Sequence, residues 1–294
     1  MKVGVLGLGA MGKPMASNLH KAGMLHGFWN RSLDKAQSLA EETGIAAAGS
    51  PAELAADCDM IITSVSADQD LDEVIDAMLP ALQAGSVIVD TSTVGVDTVL
   101  LQVAKLAPHD VAFLDAPVSG GVEGAKKATL SMMVGGNAET LARVRPVLEK
   151  VAARIVHMGD SGTGQATKAV NQIMGAGINQ AVTEALAFGA AMGLDMDKVI
   201  EVVSGGASGN WFLQHRGPTM TQGKFDAGFK VALHHKDLSI CRKMAEKITE
   251  GDNRLPIVEM TLLHYERLMD AGFGDEDISS LFRIKSKLFD KNEK

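Results

Sequence analysis

Cysteine is nearly missing: Cys58 and Cys241 are the only two in 294 residues. They form neither a CxxC pair nor a zinc-ligand spacing, which excludes a disulfide scaffold and makes a reducing cytoplasm the expected compartment. The sequence enters a strand pattern at once, without a basic segment, long apolar run and cleavage site, so export is not expected. Tyrosine occurs once against sixteen methionines, a bias toward an adaptable core rather than a recognition surface. Basic charge is also short, with 28 Lys and Arg against 36 Asp and Glu. That balance argues against nucleic acid or an anionic membrane as the main partner, while leaving room for a local basic pocket. HExxH is absent, and adjacent residues such as His234 and His235 point about 100° apart on a helix, so no metal is expected.

What the chain does have is one long, almost uncharged stretch. Gly164 to Met192 reads as a helix of roughly 28 residues, about 40 Å long. Between Lys168 and Glu184 it offers no ionisable side chain to water, so it is predicted to run through the middle of the protein. Asn171, Gln172, Asn179 and Gln180 would each cost several kcal/mol in lipid, which argues against a membrane span. Gly175, Ala176, Gly177 and Ala181 leave room for neighbouring helices. Lys168 and Asn171 are spaced i, i+3, with Gln172 at i+4, which places an ammonium and two amides on one side near the helix start.

At the other end, Lys2 to Leu6 reads as a buried strand running into Gly7-Leu8-Gly9-Ala10-Met11-Gly12 and then a helix over Pro14 to Ala22. In this GxGxxG turn Gly7 permits the bend, Gly9 lets the backbone approach a pyrophosphate, and Gly12 lets helix and strand pack. A second strand, Met24 to Trp29, ends in Asn30-Arg31-Ser32. Where NAD enzymes carry an acid for the ribose hydroxyls, this chain has Asn30. Arg31 and Ser32 can bind a 2′-phosphate, which favours NADP(H) over NAD(H), with NAD(H) still possible; the alternative makes Arg31 a solvated turn residue.

Further strands are predicted at Asp59 to Val65, Ser86 to Ser92, Val111 to Ala116, Thr129 to Val134 and Arg154 to Met158, separated by helices, which implies a parallel sheet. Ser64-Val65 and Thr93 then fall on the ligand edge. Thr93 is a candidate nicotinamide neighbour, or a cap for the helix after Gly95. In Asp115 to Gly121 (DAPVSGG), Pro117 is expected to stop the ladder, and the Ser119-Gly120-Gly121 turn either holds a carboxylate or is a plain loop. After Met192 strand signals cease and helices are read at Asp197 to Val203, Trp211 to Met220, Phe229 to Thr249, Ile257 to Asp270 and Ile278 to Phe289. Only Asp290 to Lys294 reads as a tail. Trp211 and Phe212 belong either to a substrate pocket wall or to helix packing. The predicted fold is α/β: a Rossmann-type doubly wound sheet over 1–162, then an all-helical domain over 163–294 built on the long helix.

The stretches Val5 to Asn18, Asp115 to Gly121, Gly162 to Asn171 (GTGQATKAVN) and Phe229 to Leu238 (FKVALHHKDL), in this order, resemble the β-hydroxyacid dehydrogenases. That family includes 3-hydroxyisobutyrate dehydrogenase, tartronate semialdehyde reductase and the glyoxylate and succinic semialdehyde reductases. The resemblance implies an NAD(P)-dependent oxidoreductase interconverting a short β-hydroxy acid and its semialdehyde, with Lys168 as the catalytic residue. It further implies Ser119, Gly120, Gly121 and Asn171 around the substrate, Lys236 near substrate and cofactor, and Thr93 on the nicotinamide side. The family often has a second Asn where this chain has Gln172. A lysine suits the chemistry, because charge develops on the carbonyl oxygen as hydride arrives and a proton must follow. Asp237 is expected to hold Lys236 or a backbone group. Oxidative decarboxylation of the 6-phosphogluconate dehydrogenase type and a non-catalytic cofactor sensor are the alternatives. A homodimer or homotetramer is expected from the apolar helix.

Overall fold

A computed structural model describes residues 1–249 and 254–290; the last residues of the expected tail, 291–294, lie outside the described residues. The chain divides into two compact units, Met1–Lys168 and Ala169–Lys294.

The first unit alternates β1 (Val3–Leu6), α1 (Gly12–Lys21), β2 (Leu25–Trp29), α2 (Leu33–Thr43), α3 (Pro51–Ala56), β3 (Met60–Thr63), α4 (Asp68–Met78), β4 (Val87–Asp90), α5 (Val96–Leu106) and β5 (Ala112–Asp115). Their strands pair in parallel in the order β2-β1-β3-β4-β5. Side chains alternate strictly: Val3, Val5, Met60, Ile62, Val87 and Val89 enter one apolar core, and Leu6, Ile61, Ile88 and Phe113 another. Both faces are therefore covered, which is why each strand is an almost unbroken apolar run. Because β2 and β3 lie on opposite sides of β1, the winding direction reverses there, and the carboxyl ends of β1 and β3 form the switch point.

Beyond β5 the sheet departs from the parallel expectation. β6 (Val118–Ser119), α6 (Gly121–Lys126), β7 (Leu130–Gly135), α7 (Ala138–Leu148) and β8 (Ala152–Gly159) follow, with β7 antiparallel to β5 and β6 and β8 parallel to β7. Pro117 does not stop the ladder. Its carbonyl accepts from Met133 N at 3.0 Å, so only the missing N–H is lost and pairing resumes at Val118.

The helix α8 (Thr163–Ala191) contains the break between the units, whereas the boundary expected from sequence, 162/163, coincides with its start. The second unit continues with α9 (Met196–Ser204), α10 (Trp211–Thr221), α11 (Val231–Thr249), α12 (Pro256–Asp270), a 3₁₀ turn at Ile278–Leu281 and α13 (Phe282–Lys287). The single helix predicted over Ile278 to Phe289 is thus split. Asp277 is the cause: it caps the 3₁₀ turn through Ser279 N and also accepts from Gly228 N and Phe229 N, both at 3.0 Å. The same bonds delay the start of α11 to Val231. Phe212 packs in this unit's core.

Within a single chain, α8 is not covered on every side, although its lack of charge predicted a course through the middle of the protein. Ala176, Val182, Leu186 and Ala187 are buried, but Val170, Met174, Ile178 and Phe188 are exposed, Met174 at 61%. Gly177 has open space where a Cβ would stand, and Ala181 is exposed, so within this chain no neighbouring helix packs closely on either. Lack of charge sets no direction of burial; the exposed residues recur at helical spacing and form an apolar stripe. Among the described residues no helix is long and apolar enough to cross a membrane.

Candidate active site

The glycine turn sits at the switch point. Gly7 has φ of +93°, and a Cβ there would lie 2.2 Å from Ser64 O. A Cβ on Gly12 would lie 1.8 Å from Gly7 O, whereas one on Gly9 would meet nothing within 4 Å. Two glycines are therefore required by packing, and the third leaves backbone open to an approaching pyrophosphate, which is the space a dinucleotide needs. Leu8 N donates to Asn30 Oδ1 at 2.7 Å, and Asn30 Nδ2 donates to Ser32 O at 2.9 Å. Asn30 thus ties the glycine turn to the end of β2. Ala10 and Met11 complete the turn before α1. Arg31 is exposed and pairs with Asp70 Oδ1 at 3.0 Å; Ser32 precedes α2 without a side-chain cap bond.

The adjacent strand ends are joined by a buried polar cluster. Asp90 Oδ1 accepts from Thr63 Oγ1 at 2.7 Å, Ser92 Oγ at 2.6 Å and Ser92 N at 3.2 Å. Ser92 Oγ in turn accepts from Val65 N at 2.9 Å, and Ser64 N bonds Leu6 O. The turns carrying Ser64-Val65 and Thr93 are thereby fixed to each other. Thr93 does not cap α5: Gly95 occupies that position, with its N–H on Asp68 Oδ1 at 2.7 Å.

Asp90 is fully buried, its Oδ2 has no protein partner, and burial pushes its carboxyl up to about 6, against the bonds from Ser92 and Thr63; the neighbouring Asp115 pushes it the same way as burial. Between its ordinary value of 3.8 and about 6 the folded chain holds the proton that the unfolded chain releases. Stability contributed here is therefore lost as pH rises across that window, by about 3 kcal/mol. Asp90→Asn should flatten this slope. Urea unfolding of both proteins at steps from pH 4 to pH 7 checks it; parallel pH dependences would refute the assignment.

Asp115, at the end of β5, acts on α8. Its Oδ1 accepts from Gly162 N at 2.8 Å and its Oδ2 from Gln165 N at 2.9 Å, so a carboxylate remote in sequence caps the helix start. Close approach makes this possible: a Cβ on Gly164 would lie 2.5 Å from Met133 O, and one on Gly135 would lie 2.4 Å from Asp115 Oδ1. Burial raises the Asp115 carboxyl, with the N–H donors of Gly162 and Gln165 pulling it back. One turn into the helix, Lys168 is buried, and its Nζ donates to Val118 O at 2.8 Å. Lys168 therefore stands beside the Ser119-Gly120-Gly121 turn, where Gly120 and Gly121 have φ of +129° and +63°. The expected turn is shorter than it looked, since Ser119 belongs to β6.

In the second unit Asn171 and Lys236 are brought together indirectly. Asn171 Nδ2 donates to Gln172 Oε1 at 2.7 Å, Gln172 Nε2 donates to Asp237 Oδ2 at 2.7 Å, and Lys236 Nζ lies 3.0 Å from Asp237 Oδ1. Gln172, the departure from the family pattern, is the bridge. His234 has Tyr265 Oη and Gln172 O within bonding distance of its two ring nitrogens, which occupies both. Trp211 opens α10, 60% exposed, stacked on His215 with ring centroids 4.3 Å apart. Sequence reasoning missed Asp70 as the partner of Arg31, and Asp115 and Gln165 as the residues that tie the strand ends to the start of α8. The one available signal was the repeated ending of apolar strands on an acid, VIVD and AFLD.

A glycine turn at the switch point of a run of parallel strands is the arrangement of a dinucleotide-binding domain. Residues 2–159 match the NAD binding domain of 6-phosphogluconate dehydrogenase, and residues 162–284 match the family described as NAD-binding of NADP-dependent 3-hydroxyisobutyrate dehydrogenase. The chain belongs to the β-hydroxyacid dehydrogenase family. It is 33% identical over 290 residues to 2-(hydroxymethyl)glutarate dehydrogenase of Eubacterium barkeri, covering 97% of this chain and 94% of that one. It is 30% identical to the NAD-dependent L-serine dehydrogenase of Pseudomonas aeruginosa, over 99% of both chains. The solved structure of Mycobacterium tuberculosis 3-hydroxyisobutyrate dehydrogenase with L-serine has a TM-score of 0.86 and 33% identity, covering 96% of this chain and 98% of that one.

Proposed function

We propose that this protein interconverts a short β-hydroxy acid and its semialdehyde with NADP(H), using Lys168 as general acid and base. The observation that carries this reading is the buried Lys168 ammonium held 2.8 Å from Val118 O, beside a glycine turn suited to a carboxylate. A bound nicotinamide would supply hydride to the carbonyl carbon or remove it from the alcohol. Lys168 then gives a proton to the carbonyl oxygen, or takes one from the hydroxyl in the oxidative direction. Ser119, Gly120 and Gly121 bind the substrate carboxylate. Asn171 and Lys236, steadied by Gln172 and Asp237, hydrogen-bond the substrate, and Trp211 lends an apolar wall. Gly7 to Gly12 hold the pyrophosphate, Ser64, Val65 and Thr93 the nicotinamide side, and Asn30, Arg31 and Ser32 the adenosine ribose.

The substrates in the relatives' names share one skeleton. L-Serine, 3-hydroxyisobutyrate and 2-(hydroxymethyl)glutarate are all HOCH₂–CHR–COO⁻, with R differing in size and charge. That skeleton is the expected substrate class. The test is NADP⁺ reduction with these three acids and NADPH oxidation with glyoxylate and the succinic, tartronate and methylmalonate semialdehydes. Turnover with none of them sinks the proposal, and carbon dioxide among the products would favour the decarboxylating alternative.

Cofactor choice rests on Arg31, whose charge-assisted bond to a 2′-phosphate is worth about 1.5–3 kcal/mol. Arg31→Asp is expected to move the NADP-to-NAD preference toward NAD by about 10- to 100-fold. Asp70 competes for the same guanidinium. The exposed pair is worth at most about 1 kcal/mol, so Asp70→Asn should favour NADPH by no more than about fivefold. Ratios of kcat/KM for the two cofactors measure both, and an unchanged ratio in Arg31→Asp defeats this account of choice. The exposed apolar stripe Val170, Met174, Ile178 and Phe188 supports a homodimer or homotetramer, since a second copy of the face would remove it from water; sedimentation equilibrium returning a monomer would overturn that.

A further inference from the structure

We infer that Gln165 is a positioning residue that sets where the Thr93 turn lies relative to Lys168. Its side chain grips both residues flanking Thr93: Nε2 donates to Ser92 O at 2.8 Å, and Oε1 accepts from Val94 N at 3.3 Å. The primary amide thus pairs with the main chain as a neighbouring strand would, holding both the carbonyl before Thr93 and the N–H after it. The backbone of Gln165 is itself fixed, since its N–H is bound by Asp115 Oδ2 at 2.9 Å. Lys168 follows one helical turn later, and its ammonium is held on Val118 O. Gln165 is 2% exposed, so water has little access to replace either bond. The result is a short, rigid connection from the turn bearing Thr93, through one side chain, to the first turn of the helix bearing the amine.

Shape favours glutamine at this position over its neighbours in chemistry. Asparagine is one methylene shorter and would not span both backbone groups. Glutamate keeps an acceptor for Val94 N but opposes a carboxylate to Ser92 O, and methionine fills the volume with neither bond. Ser92 is also held from behind, through Asp90 and Val65 N. The Thr93 turn is therefore clamped from two sides, and Gln165 is the side that faces the helix.

This inference rests on the proposed roles of Lys168 and Thr93. If they hold, a loosened Thr93 turn places the hydride donor and the proton donor out of step. Misplacement on the scale of 1 Å costs about 100-fold in rate. Gln165→Met and Gln165→Glu should lower kcat by about 10- to 100-fold, with the NADPH dissociation constant within about twofold. With NADPH deuterated at the transferred C4 position, the isotope effect on kcat should rise, because hydride transfer becomes more nearly rate-limiting. A merely structural role would lower folded fraction and cofactor affinity together and leave the isotope effect on the remaining activity unchanged; that pattern overturns the inference, as does unaltered kcat in both variants. Lys168→Ala is assayed alongside. If it retains turnover, the functional reading has failed; if it is inactive while the Gln165 variants are normal, only the positioning role has failed.

Discussion

Replacing Lys168 with alanine is expected to lower kcat by about 10²- to 10⁴-fold, the range a positioned general acid or base contributes, while NADPH still binds. Two roles can be assigned to this side chain, and they differ sharply in magnitude. As a structural anchor it donates to Val118 O, and the loss of that bond costs on the order of 1–3 kcal/mol of stability, with the carbonyl left buried. As the proton carrier it affects every turnover. Lys168→Met, which keeps most of the apolar stem and removes the ammonium, should lose no more than that stability in urea unfolding, and so remain folded without denaturant, yet be as inactive as alanine. Normal kcat in Lys168→Met would reduce the residue to an anchor.

Asp115→Ala is expected to destabilise the first unit strongly. Alanine orphans the buried N–H groups of Gly162 and Gln165. At about 1–3 kcal/mol for each unsatisfied donor, the cost is roughly 2–6 kcal/mol. Asp115→Asn retains one acceptor and should lose about half as much. The raised carboxyl of Asp115 points the same way, since burial already favours its uncharged form and an uncharged isostere is the milder change. Urea unfolding followed by circular dichroism measures both. If Asp115→Ala unfolds at the same urea concentration as wild type, the carboxylate is not the cap that fixes the start of α8.

Much of this was legible in the residues themselves. The parallel strands announce themselves as short apolar runs, and the spacing of Gly7, Gly9 and Gly12 after the first of them marks the switch point, because each requirement is local. The long helix was legible as a run without charge. Its direction of burial was not: nothing in the period of Val170, Met174, Ile178 and Phe188 says whether that side meets this chain or water. The parts of the site that escaped are those joined across the sequence. Asp115 meets Gly162 and Gln165 across 47 and 50 residues, Gln165 meets Ser92 across 73, Gln172 meets Asp237 across 65, and Arg31 meets Asp70 across 39. Each is a polar pair whose members look ordinary alone. Gln172 is instructive: it departs from the family pattern, and its amide bridges Asn171 and Asp237.

Chemical rescue bears most directly on the claim that a primary amine at position 168 moves the proton. Lys168→Ala is assayed for NADPH oxidation with the best semialdehyde of the panel, with methylamine added over a range of concentrations. Saturable recovery of turnover that follows the concentration of the ammonium form is the expected result. Full turnover in Lys168→Ala before any amine is added would contradict it.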